Sequence, residues 1–420
     1  MTREEAQQHF WQTCAREMCR QALQMTDQYY RQHKDRLADE FAQVFSEFCR
    51  KIRRFQNSGR KGKIGTICCS MLYTALMQEQ PAWRLDAYDD NYYFDEQECA
   101  AYFNTPWLYT PLYETCRHLQ QMSKKYAGKI NPGYIDSIKR RQAFKYIPYP
   151  VLVARQGLKQ AVQSPEFAAI DKEETVNIRL GEYHDISEVI YCYDVSRKNN
   201  AEIRKWLEKK HDDYFCRVLT DLDLSSGDYS GITLSYSRLT KSILRQVNLQ
   251  DTVLYGTDFS LCVIEDSNFS ASLLHGAIFD GAVISRTTLE DSYASQTDLH
   301  DEDSEDQMLI DILAGASFCG SRLTEVNLSY CDLDNTDFTG ATLNSVSFRY
   351  SSAAGINFQD AVLTGCDFRG TDLRDAQFQN TIITNCQFEG AYLENTCFSA
   401  GIDLDNTGLN DEQKAEVTVS

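Results

Sequence analysis

The sequence predicts two unlike halves. Residues 1–215 read as a mainly α-helical domain with some short strands, residues 216–410 as a repeat-built β-solenoid, and residues 411–420 as a C-terminal tail. Three observations carry this reading. A large apolar residue recurs every five positions through the second half and not in the first. In the first half apolar residues fall at helical spacing instead. The charge divides at the same place: residues 216–420 hold 10 Lys+Arg against 32 Asp+Glu, and residues 1–215 hold 32 against 29, giving −22 and +3. Such asymmetry assigns the two halves different work.

The five-residue run starts at Leu224, Tyr229, Leu234 and Leu239, continues to Leu299, resumes at Leu313 and ends at Phe398. Two positions before the large residue the chain is usually small, as at Ser267, Ala277, Ala341 and Cys366. The position just before is often Asp or Asn, as at Asp258, Asn268, Asp337 and Asp367. A period of five is neither the 3.6 of a helix nor the 2 of a plain strand. It requires a chain that turns a corner every five residues, with one large and one small side chain inward at each side. Phe338, Phe358, Phe378 and Phe398 lie 20 apart, as do Phe348, Phe368 and Phe388. That spacing predicts four pentads per coil and two Phe ladders on opposite faces. Ala353 interrupts the Leu ladder and should leave a gap or a neighbour shift. Cys331, Cys366 and Cys386 fall at the small inward position and read as core fillers.

This pattern, small–Asp/Asn–Leu/Phe–polar–variable, resembles the pentapeptide-repeat family, most closely in ATLNSVSF and CDFRGTDLRDAQF. The resemblance covers residues 216–409 and implies a right-handed quadrilateral β-helix. At ~4.8 Å per coil, 34 pentads would make a rod roughly 40 Å long. Some members resemble B-form DNA in diameter and charge and bind type II topoisomerases in its place. Those relatives are largely repeat from end to end, whereas here half the chain is something else.

Between Leu299 and Leu313 the spacing is 14, which breaks the period. The sequence there includes Asp301, Glu302, Asp303, Glu305 and Asp306. It reads as a loop at 300–312, either a solvated insertion or a contact for a basic partner. It lacks the DxDxDG pattern of a calcium loop. The polar tail after 410 reads as a short cap for the solenoid's open end.

In the first half, Thr2 and Glu5 form a capping box for a helix over 2–30, and 36–54 gives a second. Segments 66–78, 111–126, 134–146 and 199–210 are further helix candidates. VNIRL and VIYCYDV within 175–194 suit a strand hairpin, and Pro148 with Pro150 suggests a rigid extended connection. A basic patch gathers Arg50, Lys51, Arg53, Arg54, Arg60, Lys61 and Lys63, which suits nucleic acid, an acidic surface or ordinary solvation. The stretch 83–103 mixes Tyr88, Tyr92, Tyr93 and Phe94 with Asp89, Asp90 and Asp95, and reads as a helix connection packing its rings inward or as the frame of a pocket.

No catalytic constellation is present. The seven His are isolated, and HExxH, GxSxG, P-loop and dinucleotide patterns are missing. No enzyme, cofactor or metal site is expected. The 15 Cys include no CxxC pair, and no apolar run of membrane length or signal-peptide type occurs, so a reducing, cytoplasmic setting is expected. Motif Asp residues have a structural role as turn formers. An acidic surplus remains outside the motif at Asp251, Glu265, Asp266, Asp280, Glu290, Asp291, Asp334, Asp360, Glu389 and Glu394. These form the candidate acidic rod surface. Two functions stand. One is an acidic binding scaffold that mimics DNA toward a protein partner such as a nucleic-acid-binding enzyme. The other is an adaptor or effector whose N-terminal domain gives specificity. Neither involves a membrane, and direct nucleic-acid binding by the rod is not expected. Homodimerisation is left open.

Overall fold

The computed structural model describes residues 1–89, 91–211, 214–297, 314–399 and 409–419. The chain divides into two compact units at Ser196/Arg197.

The first unit opens with α1 (Arg3–Phe10), a π-helical turn (Trp11–Ala15) and α2 (Arg16–Asn57). Thr2 and Glu5 exchange the two capping-box hydrogen bonds at its start. The two helices expected over 2–30 and 36–54 are one continuous run, because residues 31–35, RQHKD, contain no breaker. Next come β1 (Ile64–Met71), α3 (Tyr73–Met77), β2 (Ala82–Tyr88), β3 (Ala100–Asn104), α4 (Pro106–Ser123), α5 (Pro132–Ala143), α6 (Pro148–Ala161), α7 (Pro165–Ala168), β4 (Lys172–Glu182) and β5 (Ser187–Asp194). The strands form one sheet in the order β3-β2-β1-β4-β5, parallel only between β1 and β4.

Three local expectations are corrected here. Residues 64–71 are a strand and not the start of a helix; helix occupies only Tyr73–Met77. A short apolar run buried at a sheet centre carries no alternation that separates it from helix. Segment 83–103 holds most of β2 and β3 and the loop between them, and is not a helix connection. Pro148 and Pro150 do not extend the chain but open α6, where the first N–H groups need no helical partner. The 175–194 hairpin is present as β4 and β5. Trp83, Leu85, Ile67, Cys69, Ile178 and Leu180 are buried on one sheet face. Phe41 of α2 meets Phe103 of β3 edge to face at 5.2 Å. A Cβ on Gly157 of α6 would lie 2.5 Å from the Ala38 carbonyl, so only glycine lets α6 approach α2 this closely.

The second unit is the right-handed quadrilateral β-helix. Residues pair in parallel with the residue 20 positions on, as in Val218↔Arg238↔Asp258. Taking the sides in chain order, side one stacks Leu219, Leu239, Phe259, Phe279, Phe318, Phe338, Phe358, Phe378 and Phe398. Side two stacks Leu224 through Ile383, side three Tyr229 through Phe388, and side four Leu234 through Leu393. Phe318 lies on Phe338 with centroids 4.6 Å apart and planes within 1°. Phe348 lies on Phe368 at 4.8 Å. The two ladders meet edge to face, as Phe348 and Phe358 do at 5.7 Å. Ala353 is fully buried within the coil that holds Phe338 and Phe348.

Each residue type has a geometric reason. The residue two past the large one sits at the corner with φ near +60°, as at Asp251, Leu261, Asn335 and Gly340. That left-handed backbone explains the Gly, Asn and Asp at this position. The Asp or Asn before the large residue accepts the N–H two residues on, as Asp258 does from Ser260 at 2.9 Å. The small inward residue is often Ser or Thr, and its hydroxyl donates to a carbonyl of the previous coil. Ser272 donates to Leu249 at 2.7 Å, and Thr371 to Phe348 at 2.7 Å. Side two is different. Its residue before the large one is mostly β-branched (Ile243, Val263, Val283, Thr342, Val362, Ile382), and only this side forms a seven-stranded parallel sheet.

Both ends of the stack are covered. Leu207 of α8 (Asn200–Leu207) and Tyr214 are fully buried against the first coils. At the far end Leu409 is buried, and Gln413 of a helix over Asp411–Glu416 donates to the carbonyls of Phe388 and Ala391. Phe279 stacks on Phe318, 39 residues on rather than 20, at 4.7 Å. Nineteen residues are therefore inserted, and Ala316 N–H to Ala294 O (2.8 Å) closes the base of the insertion. Phe279, Ile284, Leu289 and Ala294 already supply that coil's four sides. Leu299 and Leu313 are not needed to close a coil, and both lie outside the described residues.

Two outcomes test this account. Phe358→Ala should cost about 3–5 kcal/mol in urea unfolding, whereas Phe94→Ala, at a side chain 89% exposed, should leave the midpoint unchanged. Deleting residues 297–315 restores the 20-residue spacing, so the shortened chain should keep its far-UV circular dichroism and melt within a few degrees of the parent.

Candidate functional site

The ten acids of the candidate rod surface separate into two groups. Six are engaged. Glu265 pairs with Arg245 at 2.9 Å, and Asp266 with Arg286 at 2.6 Å. Asp280 accepts from Ser317 Oγ and from Cys319 N across the insertion. Glu290 accepts from Asn327 (3.3 Å), Asp334 from Ser352 Oγ (2.7 Å) and Ala354 N (2.8 Å), and Asp360 from Asn380 (3.0 Å). Each of these joins one coil to the next. Asp251, Asp291, Glu389 and Glu394 make no side-chain hydrogen bond or ion pair among the described residues. All four sit on sides three and four.

The sides differ in charge as well. Outward positions of sides three and four carry eleven acids (Asp228, Asp251, Glu290, Asp291, Asp332, Asp334, Asp367, Asp372, Asp375, Glu389 and Glu394) against Arg349, Arg369 and Arg374. Side two carries Asp223, Glu265, Asp266 and Glu325 against Arg245, Arg286 and Arg322, close to balance. Arg369 and Arg374 fold back on Asp367 and Asp372 two residues away. The Arg286 guanidinium holds the Asp266 carboxyl below its ordinary range. Hydrogen bonds from Lys210 and Ser230 hold Asp228 down at about 2. Buried thiols move the other way: burial pushes Cys331 up to about 11 and Cys262 up to about 12, so these are inert fillers. The loop acids Asp301, Glu302, Asp303, Glu305 and Asp306 lie outside the described residues, as does Asp298.

The basic patch does not survive as one surface. Lys61 is buried and pairs with Asp95 at 2.5 Å, their side chains 1% and 2% exposed. Arg50 pairs with Glu166 at 3.1 Å and Arg53 with Asp171 at 2.7 Å. Lys51 donates to the Ala100 carbonyl. Arg54, Arg60 and Lys63 remain exposed with no carboxylate partner among the described residues, Arg60 lying 4.1 Å over the Phe55 ring. Sequence spacing could not show this, because the acids that neutralise the patch come from elements up to 118 residues away.

In the aromatic stretch, Trp83 is fully buried, Tyr88 and Tyr92 meet at 5.4 Å, and Phe94 and Tyr102 face solvent. Asp95 accepts from the backbone N–H of Asp89 and Gln97, which with Lys61 pins the loop between β2 and β3; Asp90 lies outside the described residues. An open cavity of about 500 Å³ lies beside α3 and the end of β3. Sequence reasoning missed it, because its lining residues come from separate segments. Among the described residues no three His, Cys, Asp or Glu side chains converge on a point that would hold a metal, and no helix is long and apolar enough to cross a membrane.

Three family profiles match the second unit: pentapeptide repeat region over residues 312–378, pentapeptide repeats (9 copies) over 363–408, and pentapeptide repeats (8 copies) over 230–266. The C-terminal unit is a pentapeptide-repeat domain. Similar solved structures include HetL, a pentapeptide repeat protein involved in heterocyst differentiation regulation from the cyanobacterium Nostoc sp. strain PCC 7120, at 18% identity over 48% of this chain and 97% of that chain, TM-score 0.22. Full-length QnrB1, a plasmid-mediated fluoroquinolone resistance protein, is 15% identical over 49% of this chain and 92% of that chain, TM-score 0.26. A pentapeptide repeat protein of the Arabidopsis thaliana thylakoid lumen is 24% identical over 24% of this chain and 68% of that chain, TM-score 0.15. No curated protein matches the chain.

The buried Lys61–Asp95 pair gives a pH signature. Burial alone would raise the Asp95 carboxyl, but Lys61 and the two backbone donors override it and hold it below its ordinary value. A carboxyl lowered on folding contributes stability above its unfolded pKa and loses it as pH falls below about 4. Denaturant unfolding should therefore show a drop in stability between pH 5 and 3 that shrinks in Asp95→Asn. Lys61→Met should cost about 3–5 kcal/mol at pH 7, since it strands a buried carboxylate.

Proposed function

We propose that the repeat domain is a non-enzymatic docking scaffold whose third and fourth sides receive a basic protein surface. In its sharpest form, the rod occupies the DNA-binding groove of a DNA-handling enzyme such as a type II topoisomerase. The observation that carries the reading is the location of Asp251, Asp291, Glu389 and Glu394. They make no internal hydrogen bond or close ion pair among the described residues and lie on two adjacent sides already rich in acid. Carboxylates used between coils are structural, whereas free ones repel each other and gain from an external cation. The eight coils, at ~4.8 Å each, give the rod roughly 40 Å over which to present them. The alternative is an adaptor in which the N-terminal unit selects the partner. It is favoured by that unit's having a sheet and buried core of its own.

The test is to titrate purified full-length protein into a gyrase supercoiling reaction, with and without a quinolone. Inhibition or quinolone protection at micromolar concentration is expected. The absence of both effects would overturn the DNA-mimic form. The quadruple variant Asp251→Lys, Asp291→Lys, Glu389→Lys and Glu394→Lys should weaken the effect by about tenfold or more, and salt should weaken the parent more than the variant. An unchanged variant would move the docking surface away from these two sides.

A further inference from the structure

β3 is an edge strand, and its hydrogen bonds fix which way each residue faces. Thr105 N–H donates to Pro81 O (2.9 Å) and Ala87 N–H to Cys99 O (3.1 Å), so the odd-numbered residues 99–105 bond toward β2. Ala100, Tyr102 and Asn104 therefore turn their N–H and C=O groups outward. Of these, the Ala100 carbonyl is taken by the Lys51 ammonium. Tyr102 and Asn104 are exposed, and no described residue bonds to their backbone. Edge strands are normally blunted by charge, proline or a covering element. Here Lys51 guards one end only. At the other end is the open cavity of about 500 Å³, whose lining includes Tyr102, Asn104, Gln78 and Gln80 and no charged side chain. Lys51 has no carboxylate partner among the described residues.

We propose that the β3 edge binds an extended peptide segment of a partner protein by strand addition. The peptide's backbone pairs with Tyr102 and Asn104, a carboxylate side chain meets Lys51, and an uncharged side chain lies at the cavity. Main-chain bonds give such a site its affinity, and the two ends give it direction and selectivity. The site is independent of the acidic rod, so its success or failure leaves the docking reading untouched.

Fluorescein-labelled hexapeptides Glu-Val-Thr-Val-Gln-Thr and its reverse, Thr-Gln-Val-Thr-Val-Glu, are titrated with the full-length protein and followed by anisotropy. One of the two should bind saturably, and replacing its Glu by Gln should weaken binding about fivefold. Tyr102→Pro should abolish binding while keeping the fold, because proline there removes only an outward N–H and leaves the bonds to β2 intact. Tyr102→Phe should bind normally. Lys51→Gln should erase the preference for Glu over Gln. Should the proline variant fail to fold, N-methylation of alternate peptide residues makes the same test on the unaltered protein: one methylation phase should abolish binding and the other preserve it. Absence of saturable binding by both peptides overturns the proposal. So does a dimer, seen by sedimentation, that Tyr102→Pro dissolves, since the edge would then pair with a second copy of itself.

Discussion

Inside the repeat domain no pentad has a core of its own. Each inward side chain is covered by its counterparts in the coils before and after it, and most backbone N–H groups on a side find their carbonyl in a neighbouring coil. The Phe ladder of side one shows the strength of this constraint. It runs from Phe259 to Phe398 and keeps its stacking across an insertion of nineteen residues. An insertion is tolerated only if the coil around it still closes, which the Ala294–Ala316 hydrogen bond ensures. The same dependence explains the covered ends. Without Leu207 and Tyr214 at one end, and Leu409 and Gln413 at the other, the terminal ladders would face water.

Much of the acidity belongs to this same system. The Asp before each large residue satisfies a turn N–H, and several outward acids tie one coil to the next. What is left over among the described residues is small in number and lies mostly on sides three and four, with Asp221 on side one and Glu325 on side two. Side two behaves differently because β-branched residues replace Asp and Asn there. The turn-forming side chain is lost, and an extended strand with paired neighbours takes its place.

The repeat was legible in the sequence because its period is a property of consecutive residues. The large, small and Asp/Asn positions, the four-sided coil and the Phe ladders all follow from counting. The continuation of the ladder through Phe318, Phe279 and Phe259 was hidden, since Phe318 and Phe279 are 39 apart and break the count. The first half is harder to read. β1 was concealed by being buried within the sheet, and Pro148 is as suited to a helix start as to an extended link. The basic patch illustrates the deeper limit. Seven cations adjacent in sequence look like a surface, but Asp95, Glu166 and Asp171, brought by the fold from elsewhere, decide which of them still act as free charges.

The uneven charging of the four sides has a dynamic consequence. A rod whose acids were spread evenly around its circumference would respond to a cationic surface only by translation. This one has a nearly balanced side two and acid-rich sides three and four, so its field has a component transverse to its long axis. Near a cationic surface that component exerts a torque about the axis, and the rod rolls until its acidic edge faces inward before contact. Rotational search about the axis is thus biased from a distance of about a Debye length, some 8 Å at physiological ionic strength.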